Sequence, residues 1–231
     1  FSDYERPALR LASIQNIQVI HEFTHDSFYV GEDGPTHQPI EQIMSLRAIP
    51  NFNVYRPADS KETASCFKLA IKNKNTPSAL ILTRQGVPTL EFSQKQMDEN
   101  VSKGAYIVVD SKKTNPDIII IATGSEVSLA IEVSKSLIDK NVRVISMPSW
   151  EVFSAQSDKY KKEIIPDRGN LKVSLEAGIT SGWEKFIGRS GLSIGINHFG
   201  SSAPANDLAI KFGFTVDKVS SKIEKYIKEL L

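Results

Sequence analysis

Short runs of β-branched and other apolar residues alternate with helix-patterned segments along the chain, and no other feature restricts its fold as much. IQVIHEF at 17–23, SALILTRQ at 78–85 and DIIIIATG at 117–124 are continuous runs that predict buried strands. SEVSLAIEVSKSLIDK at 125–140 instead places its apolar residues on one helical stripe. Strands that alternate with helices predict mostly parallel sheets with helices on both faces.

A polar segment at 86–104, GVPTLEFSQKQMDENVSKG, separates two such alternating regions. This composition is typical of a linker between domains, and 231 residues are enough for two hydrophobic cores. We therefore predict an α/β protein of two doubly wound, mostly parallel β-sheet domains with helices on both faces. The first domain spans 1–92 and the second 105–231, with a linker at 93–104.

Two local signals predict where helices of the first domain begin. Pro39 suits the first residue of a helix at 39–47. Asp59, with Glu62 three residues later, forms a capping pattern for a helix at 60–73. The strand-like NFNVYRP lies between these two segments, as the alternation requires.

Bulk composition excludes several classes of partner. The chain has 28 basic and 27 acidic residues, a net charge of +1, which argues against a nucleic-acid or membrane surface. Its apolar runs are far shorter than the roughly 20 residues of a membrane span. Cys66 is the one cysteine, so no internal disulfide is expected and a cytoplasmic location fits. We interpret Cys66 as a small buried hydrophobe rather than a nucleophile.

The segment THDSFYVGEDGPTHQPIE, from Thr24 to Glu41, concentrates titratable groups at a predicted strand end. His25 follows the strand, and Asp33 and His37 flank a glycine-rich bend before a helix. Ligands of open parallel sheets collect at this edge, where histidine and aspartate suit polyol or phosphate recognition with acid–base chemistry. A solvated polar loop and a metal site remain alternatives, although the spacing of the two histidines matches no common zinc pattern.

Four other features are weaker candidates. Arg84, at a neighbouring strand end, suits a bidentate phosphate clamp but could be an ordinary surface arginine. ATGSEV at 122–127 resembles a phosphate-binding turn, but Glu126 in the first helical turn would repel phosphate and favours a structural cap. We interpret His198 as a core residue, with a loop donor as the alternative. Glu176 ends a predicted strand and either pins a helix start or lines an interface.

THDSFYVGEDGPTHQPIEQIMSLRAIPN resembles the signature of transketolases. VYRPADSKET, ALILTRQ, IIIATGSEVSLA, VRVISMPS and FGSSAPANDLAIKFGFTVD are also similar to that family. Related thiamine enzymes, such as a synthase, share part of the first motif, but the flanking THDS, PIE and RPAD favour transketolase over a synthase or an oxidative decarboxylase component. The resemblance covers essentially the whole chain, from within the pyrimidine-binding domain through the C-terminal domain.

This resemblance implies thiamine diphosphate-dependent transfer of a two-carbon ketol unit from a ketose phosphate to an aldose phosphate, as in the pentose phosphate pathway. It also implies Mg²⁺ or Ca²⁺ as the metal, a cytoplasmic homodimer and an active site between the two subunits. Phe1 would stack on the cofactor's aminopyrimidine ring, Tyr4 would line the same pocket, and His37 would act near the aminopyrimidine as the catalytic residue. No metal ligand is expected in this chain.

The same resemblance assigns the substrate contacts. His25 and Arg84 would hold the substrate phosphate, Asp33 would bond a hydroxyl and so select stereochemistry, and His37 would meet the substrate hydroxyls. A departure from many bacterial relatives is the bulky stretch Phe28-Tyr29-Val30, which we expect to alter loop packing or access to the site.

Two parts of the family pattern are missing from the sequence. Neither the GDG motif with its downstream Asn, nor the glutamate that bonds the pyrimidine and precedes the segment matching Phe1, is found. We therefore expect a C-terminal piece of a longer protein, inactive by itself and binding no cofactor alone. The alternative function is a non-catalytic C-terminal fragment that folds and dimerises without any cofactor.

Overall fold

The computed structural model describes residues 1–113, 115–167 and 169–230, and these ranges form the mixed α/β architecture that the alternation predicts. The strands are β1 (Ile20–Phe23), β2 (Asn53–Tyr55), β3 (Ser78–Ile81), β4 (Tyr106–Val109), β5 (Ile118–Ala122), β6 (Val142–Ser146), β7 (Leu171–Leu175) and β8 (Leu192–Ile194). The helices are α1 (Ser2–Ile14), α2 (Gln42–Arg47), α3 (Ser60–Lys72), α4 (Gln94–Val101), α5 (Glu126–Ser136), α6 (Trp150–Ser154), α7 (Asp158–Ile164), α8 (Glu184–Ile187), α9 (Ala205–Phe212) and α10 (Val216–Leu230).

The described strands form two sheets, one on each side of α4 in the sequence. The first has three strands in the order β1-β3-β2, all parallel. The second has five strands in the order β4-β6-β5-β7-β8, and only β4 runs antiparallel to its neighbour. The predicted fold class is therefore confirmed. Below, the residues before α4 are called the first unit and those after it the second unit.

Burial follows the position of each strand in its sheet. Every residue of β5 is buried, as expected for a central parallel strand with both faces covered. The predicted strand at 17–23 is confirmed over 20–23, but the prediction that it is buried is wrong. β1 occupies an edge and starts only at Ile20, Glu22 is exposed, and Ile17 is 45% exposed.

The helix starts agree with the sequence only where the capping residues are decisive. Asp59 accepts a hydrogen bond from the backbone of Glu62 at 2.7 Å, and α3 begins at the next residue, as predicted. The other helix begins at Gln42 instead of Pro39. The backbone of Ile40 is already committed, because its N–H donates to the Gln42 side chain at 2.9 Å and its carbonyl accepts from Ile179 at 2.9 Å.

The segment predicted as a linker contains a helix, α4. Ser93 and Gln96 form a reciprocal capping box at its start, and Met97 and Val101, four residues apart, are fully buried against α3 and its surroundings. The polar composition concealed this helix because only one narrow stripe faces the core. Nowhere in the described ranges is a helix both long and apolar enough to cross a membrane.

Glu62 on α3 joins the two units through a buried carboxylate. It accepts hydrogen bonds from Tyr106 Oη and Ser146 Oγ of the second sheet, both at 2.6 Å, and from the Ala58 backbone at 2.6 Å. No lysine or arginine pairs with it in the described part of the chain. Burial raises the pKa of Glu62, and the three donors offset only part of that rise.

We expect the substitution Glu62→Gln to leave the protein at least as stable as the wild type at pH 7. A folded-state pKa above the unfolded one means that folding favours the protonated carboxyl, so wild-type stability falls as pH rises from about 4.5 through the raised pKa. The amide does not ionise, and both hydroxyls can accept from it. Urea unfolding between pH 4 and 8 should show that the free energy of unfolding of the variant increases relative to that of the wild type as pH rises.

The matched control is Glu132→Gln, at an exposed glutamate whose ion pair among the described residues is with Lys135 on the surface of α5. It should show no such pH-dependent gain. A Glu62→Gln protein that loses stability relative to the wild type as pH rises would contradict the assignment of a raised pKa.

Candidate functional site

The loop from residue 24 to 41, between β1 and α2, is built from tight turns. His25 takes a left-handed conformation with φ of 64°, which residues other than glycine seldom adopt. A short 3-10 helix spans Phe28–Val30, and Gly31 and Gly34 follow with φ of 87° and 79°. These positive angles fold the loop back toward the sheet and favour glycine at both positions.

The strand register brings this loop to the sheet edge that carries Arg84. β1 and β3 are parallel neighbours, with Phe23 opposite Ile81, and Leu82 donates its N–H to the Phe23 carbonyl at 2.7 Å. His25 and Arg84 therefore leave the same carboxyl edge of the first sheet, two and three residues beyond the paired positions. This is the edge at which open parallel sheets bind ligands.

A narrow cavity lies where this loop meets the start of α1. Phe1, His25 and Asp26 contribute to its lining. The Phe1 ring is 79% exposed, 6.2 Å from the ring of Tyr4, and meets the ring of His37 edge-on at 6.3 Å. Asp26 is 3% exposed, yet its Oδ1 has no hydrogen-bond partner among the residues that the structure describes. The cavity thus lies beside an exposed aromatic ring and a buried carboxylate.

The predicted site residues all lie near one edge of the first sheet or on its loop, but they do not all contact one another. His25, Asp33, His37 and Arg84 are exposed, and no hydrogen bond or ion pair links them to one another within the described ranges. His25 lines the cavity beside Phe1, and His37 touches the same ring. Asp33 lies on the same loop, and Arg84 lies at the neighbouring strand end. Their roles therefore remain predictions.

Sequence reasoning missed a buried ion-pair network behind this loop. Arg56, fully buried just after β2, donates through Nε to Asp26 Oδ2 at 2.8 Å and through Nη1 to Glu126. The same Nη1 donates to the carbonyl of Thr123 at 2.9 Å. Asp26 belongs to the loop and Glu126 to the second unit, so one guanidinium ties the loop to both units.

A second arginine extends this network. Arg47 of α2 makes a bidentate pair with Glu176 at 2.8 and 2.7 Å, and Thr123 Oγ1 also donates to Glu176 at 2.5 Å. Burial opposes ionisation of Glu176, but Arg47 outweighs it and lowers the pKa of this carboxyl to about 2. The guanidinium of Arg47 also lies 3.9 Å over the Trp150 ring.

These contacts show the structural roles of two residues that the sequence offered as weaker site candidates. Glu126 lies in the first turn of α5, but its carboxylate pairs with Arg56 and accepts from the Ala177 backbone at 2.8 Å rather than capping its own helix. Burial raises the pKa of Glu126, and Arg56 offsets part of that rise. Glu176 lines the contact between the two units, the second of its two interpretations. Arg56 and Glu126 lie 70 positions apart, and nothing in the sequence pattern connects them.

Two further candidates are decided by burial. The core interpretation of His198 is wrong, because the residue is exposed and its Nδ1 lies 2.8 Å from the Phe199 carbonyl. Cys66 is fully buried, and burial raises the pKa of its thiol, as expected for a small buried hydrophobe. Among the described residues, no group of three or more His, Cys, Asp or Glu side chains is arranged to hold a metal ion.

Fold and site together define an α/β protein of mostly parallel sheets with a cavity beyond the carboxyl ends of strands in the first sheet, the edge at which open parallel sheets bind ligands. The family models described as "Transketolase, pyrimidine binding domain" and "Transketolase-like TK C-terminal domain" match residues 1–89 and 104–215. The chain belongs to the transketolase family.

Individual relatives agree with this assignment. Transketolase of Bacillus subtilis (strain 168) is 46% identical over 231 residues, which are 99% of this chain and 35% of the relative. Transketolase of Geobacillus stearothermophilus is 48% identical over 221 residues, 95% of this chain and 33% of the relative. The structure of transketolase from Leishmania mexicana superposes with a TM-score of 0.92 at 43% identity, covering 99% of this chain and 33% of that one. The chain thus spans about a third of the length of these relatives.

The family is thiamine diphosphate-dependent, and two features beside the cavity suit the pyrimidine end of that cofactor. The exposed Phe1 ring offers a face on which a pyrimidine can stack. Asp26 Oδ1 is a buried acceptor without a partner among the described residues. Buried acceptors are ordinarily hydrogen-bonded, so this oxygen is available to a donor of a bound ligand. The fit covers the pyrimidine end of the cofactor alone.

Proposed function

We propose that this chain forms the pyrimidine-binding and C-terminal parts of a transketolase that moves a two-carbon ketol unit from a ketose phosphate to an aldose phosphate. Relatives at 46 and 48% identity support this function. The observation that supports it is that His25 and Arg84 follow neighbouring parallel strands at one sheet edge, while His25 shares a cavity with Phe1, whose ring contacts that of His37. We assign 1–92 to the pyrimidine-binding domain, 93–104 to a linker and 105–231 to the C-terminal domain.

Each exposed residue of the loop has one proposed task. Phe1 and Tyr4 hold the pyrimidine ring, and His37 moves protons between the substrate hydroxyls and the cofactor side of the site. Asp33 accepts a hydrogen bond from a substrate hydroxyl. When bound, thiamine diphosphate would supply the carbanion-stabilising chemistry that breaks and remakes the carbon–carbon bond. The chain's own contribution is to orient two sugars and shield them from water.

Several features of the whole enzyme belong to the proposal because this chain covers about a third of its relatives. They are the Mg²⁺ or Ca²⁺ ion, the homodimer with its active site between subunits, the role in the pentose phosphate pathway and the cytoplasmic location. The 231-residue chain alone is expected to be inactive. A non-catalytic fragment that folds, dimerises and binds no cofactor is the second candidate, favoured by the lack of the GDG motif from the sequence.

The function is tested on the complete protein that contains this chain, by ketol transfer between a ketose phosphate and an aldose phosphate. Arg84→Ala should raise KM for phosphorylated sugars about 10- to 100-fold, with a smaller change in kcat. A charge-assisted hydrogen bond to phosphate contributes about 1.5–3 kcal/mol, and its loss weakens substrate and transition state alike. Unphosphorylated donors should be affected far less.

Arg189→Ala is the matched control, at an exposed arginine in a turn of the second unit. Its KM should equal that of the wild type. An Arg84→Ala enzyme with unchanged KM for phosphorylated sugars would remove Arg84 from the clamp, whereas a complete wild-type protein without ketol transfer would refute the function itself.

A further inference from the structure

Gln38, directly after the proposed catalytic histidine, has every polar group of its side chain committed to fixed partners. It is 4% exposed. Its Nε2 donates to the Gly31 carbonyl at 2.7 Å and to the Ser201 carbonyl at 2.8 Å, and its Oε1 accepts from the Ser201 backbone N–H at 3.0 Å. A single amide therefore closes the 31–38 turn and also binds it to a segment 163 positions away.

The partner segment in the second unit is shaped around this amide. A Cβ atom at Gly200 would lie 1.7 Å from Gln38 Oε1 and 2.7 Å from its Cδ. Any side chain at position 200 would therefore displace the Gln38 amide. The absence of a side chain at Gly200 is what lets Gln38 reach both the N–H and the carbonyl of Ser201.

Two neighbouring contacts attach the same turn to the same segment. Ser202 donates its hydroxyl to the carbonyl of Glu32, next to Asp33. A Cβ at Gly34 would lie 3.3 Å from the Cβ of Ser202, so the turn and the segment are in close contact there. The 31–38 turn, which carries Asp33 and His37, is thus held at Gly31, Glu32 and Gln38.

Within the turn, backbone hydrogen bonds pass this constraint on to the histidine. The N–H groups of His37 and Gln38 both donate to the Gly34 carbonyl, at 3.1 and 3.2 Å. Because both bonds end on the residue after Asp33, a shift of Gln38 changes the spacing between Asp33 and His37. Those two side chains are exposed and make no hydrogen bond to the described residues of the second unit.

We propose that Gln38 is a positioning residue, which fixes the spacing of Asp33 and His37 by clamping their turn onto residues 200–202 of the second unit. This inference rests on the proposed function, because it assigns Gln38 its effect through the substrate contacts of Asp33 and His37. It also gives the C-terminal domain a direct part in the active site, as the anchor of the loop that holds the sugar.

Two variants test the clamp from opposite sides. Gln38→Glu keeps the shape but places an oxygen where Nε2 faces two carbonyl oxygens, and Gly200→Ala displaces the amide without changing Gln38. Ser201→Ala is the matched control, because Gln38 uses only the backbone of Ser201. Both test variants should retain slow hydrogen exchange in the β5 core, which shows that they fold.

The first measurement is hydrogen exchange of the complete protein that contains this chain. In both test variants the amides of His37 and Gln38 should exchange at least about tenfold faster than in the wild type, because local opening of the turn becomes easier. Ser201→Ala should match the wild type. Unchanged exchange at these amides in both folded test variants would overturn the clamp.

The second measurement is ketol transfer by the complete protein to two 2-hydroxyaldehyde acceptors that differ only in configuration at C2. The ratio of their kcat/KM values should fall about tenfold in both test variants, because Asp33 no longer meets the hydroxyl in register. A merely less stable enzyme would lose both rates equally, so an unchanged ratio overturns the positioning role. A wild type that transfers no ketol group instead refutes the proposed function, while the exchange result still decides whether the clamp exists.

Discussion

Replacing Arg56 by methionine should lower the free energy of unfolding of the chain by about 3–5 kcal/mol, the usual loss when one partner of a buried ion pair is removed. Arg56 is the cation that contacts both Asp26 and Glu126, and all three side chains are at most 1% exposed. Without it, two carboxylates remain in a dry interior. Urea unfolding followed by the fluorescence of Trp150 and Trp183 measures the loss.

Two further results separate charge from packing at Arg56. The loss should be smaller at pH 5 than at pH 7, because unpaired buried carboxyls have raised pKa values and take up protons. Adding Asp26→Asn and Glu126→Gln to Arg56→Met should restore part of the stability. Arg10→Met, at an exposed arginine of α1, should change stability by less than about 0.5 kcal/mol. If the Arg56→Met single variant were as stable as the wild type at pH 7, the stabilising role of the ion-pair network would be contradicted.

Gly104→Ala should cost about 2–5 kcal/mol, because it combines backbone strain with overlap against main-chain atoms. Gly104 has φ of 77°, and a Cβ there would lie 2.2 Å from the Phe153 nitrogen and 2.8 Å from the Ser149 carbonyl oxygen. Neither atom can move without disturbing α6. The same unfolding measurement applies.

The control for that substitution is Gly86→Ala. Gly86 has no atom within 4 Å of its added Cβ and does not take a positive φ, so alanine there should be neutral or slightly stabilising. If the two variants had equal stability, the close packing of Gly104 against α6 would be refuted.

The sequence predicted elements well where one local rule decided the structure. The run Ile118–Ala122 is apolar at every position and forms a central strand, and Asp59 starts α3 through its side chain. The sequence-based prediction failed where contacts between distant segments determined where an element begins or how deeply it is buried. α2 starts late because Ile40 bonds to Ile179 of the second unit, and β1 is an edge strand although its composition is that of a buried one.

The candidate site also has one part that the sequence signals and one part that it does not. The sequence indicates the loop at 24–41, because titratable residues cluster there and follow a strand. The partners of Arg56 lie 30 and 70 positions away, and Gln38 meets Ser201 across 163 positions, so no local pattern marks them. In the bulky Phe28-Tyr29-Val30 stretch, the Phe28 ring is fully buried 5.3 Å from Phe212 and 5.2 Å from Phe214, and its effect on access to the site stays a prediction.

The ion pair between Arg56 and Glu126 has a consequence for how sequences of this kind can diverge. Recombination that exchanged one unit between distant homologues would bring together an arginine and a glutamate selected in different ancestors. A chimera joined near residue 90 would inherit a buried charge from each parent, and a mismatch at either position would leave one of them uncompensated. Inheritance of the two units as a block is therefore favoured, even though each has a sheet of its own.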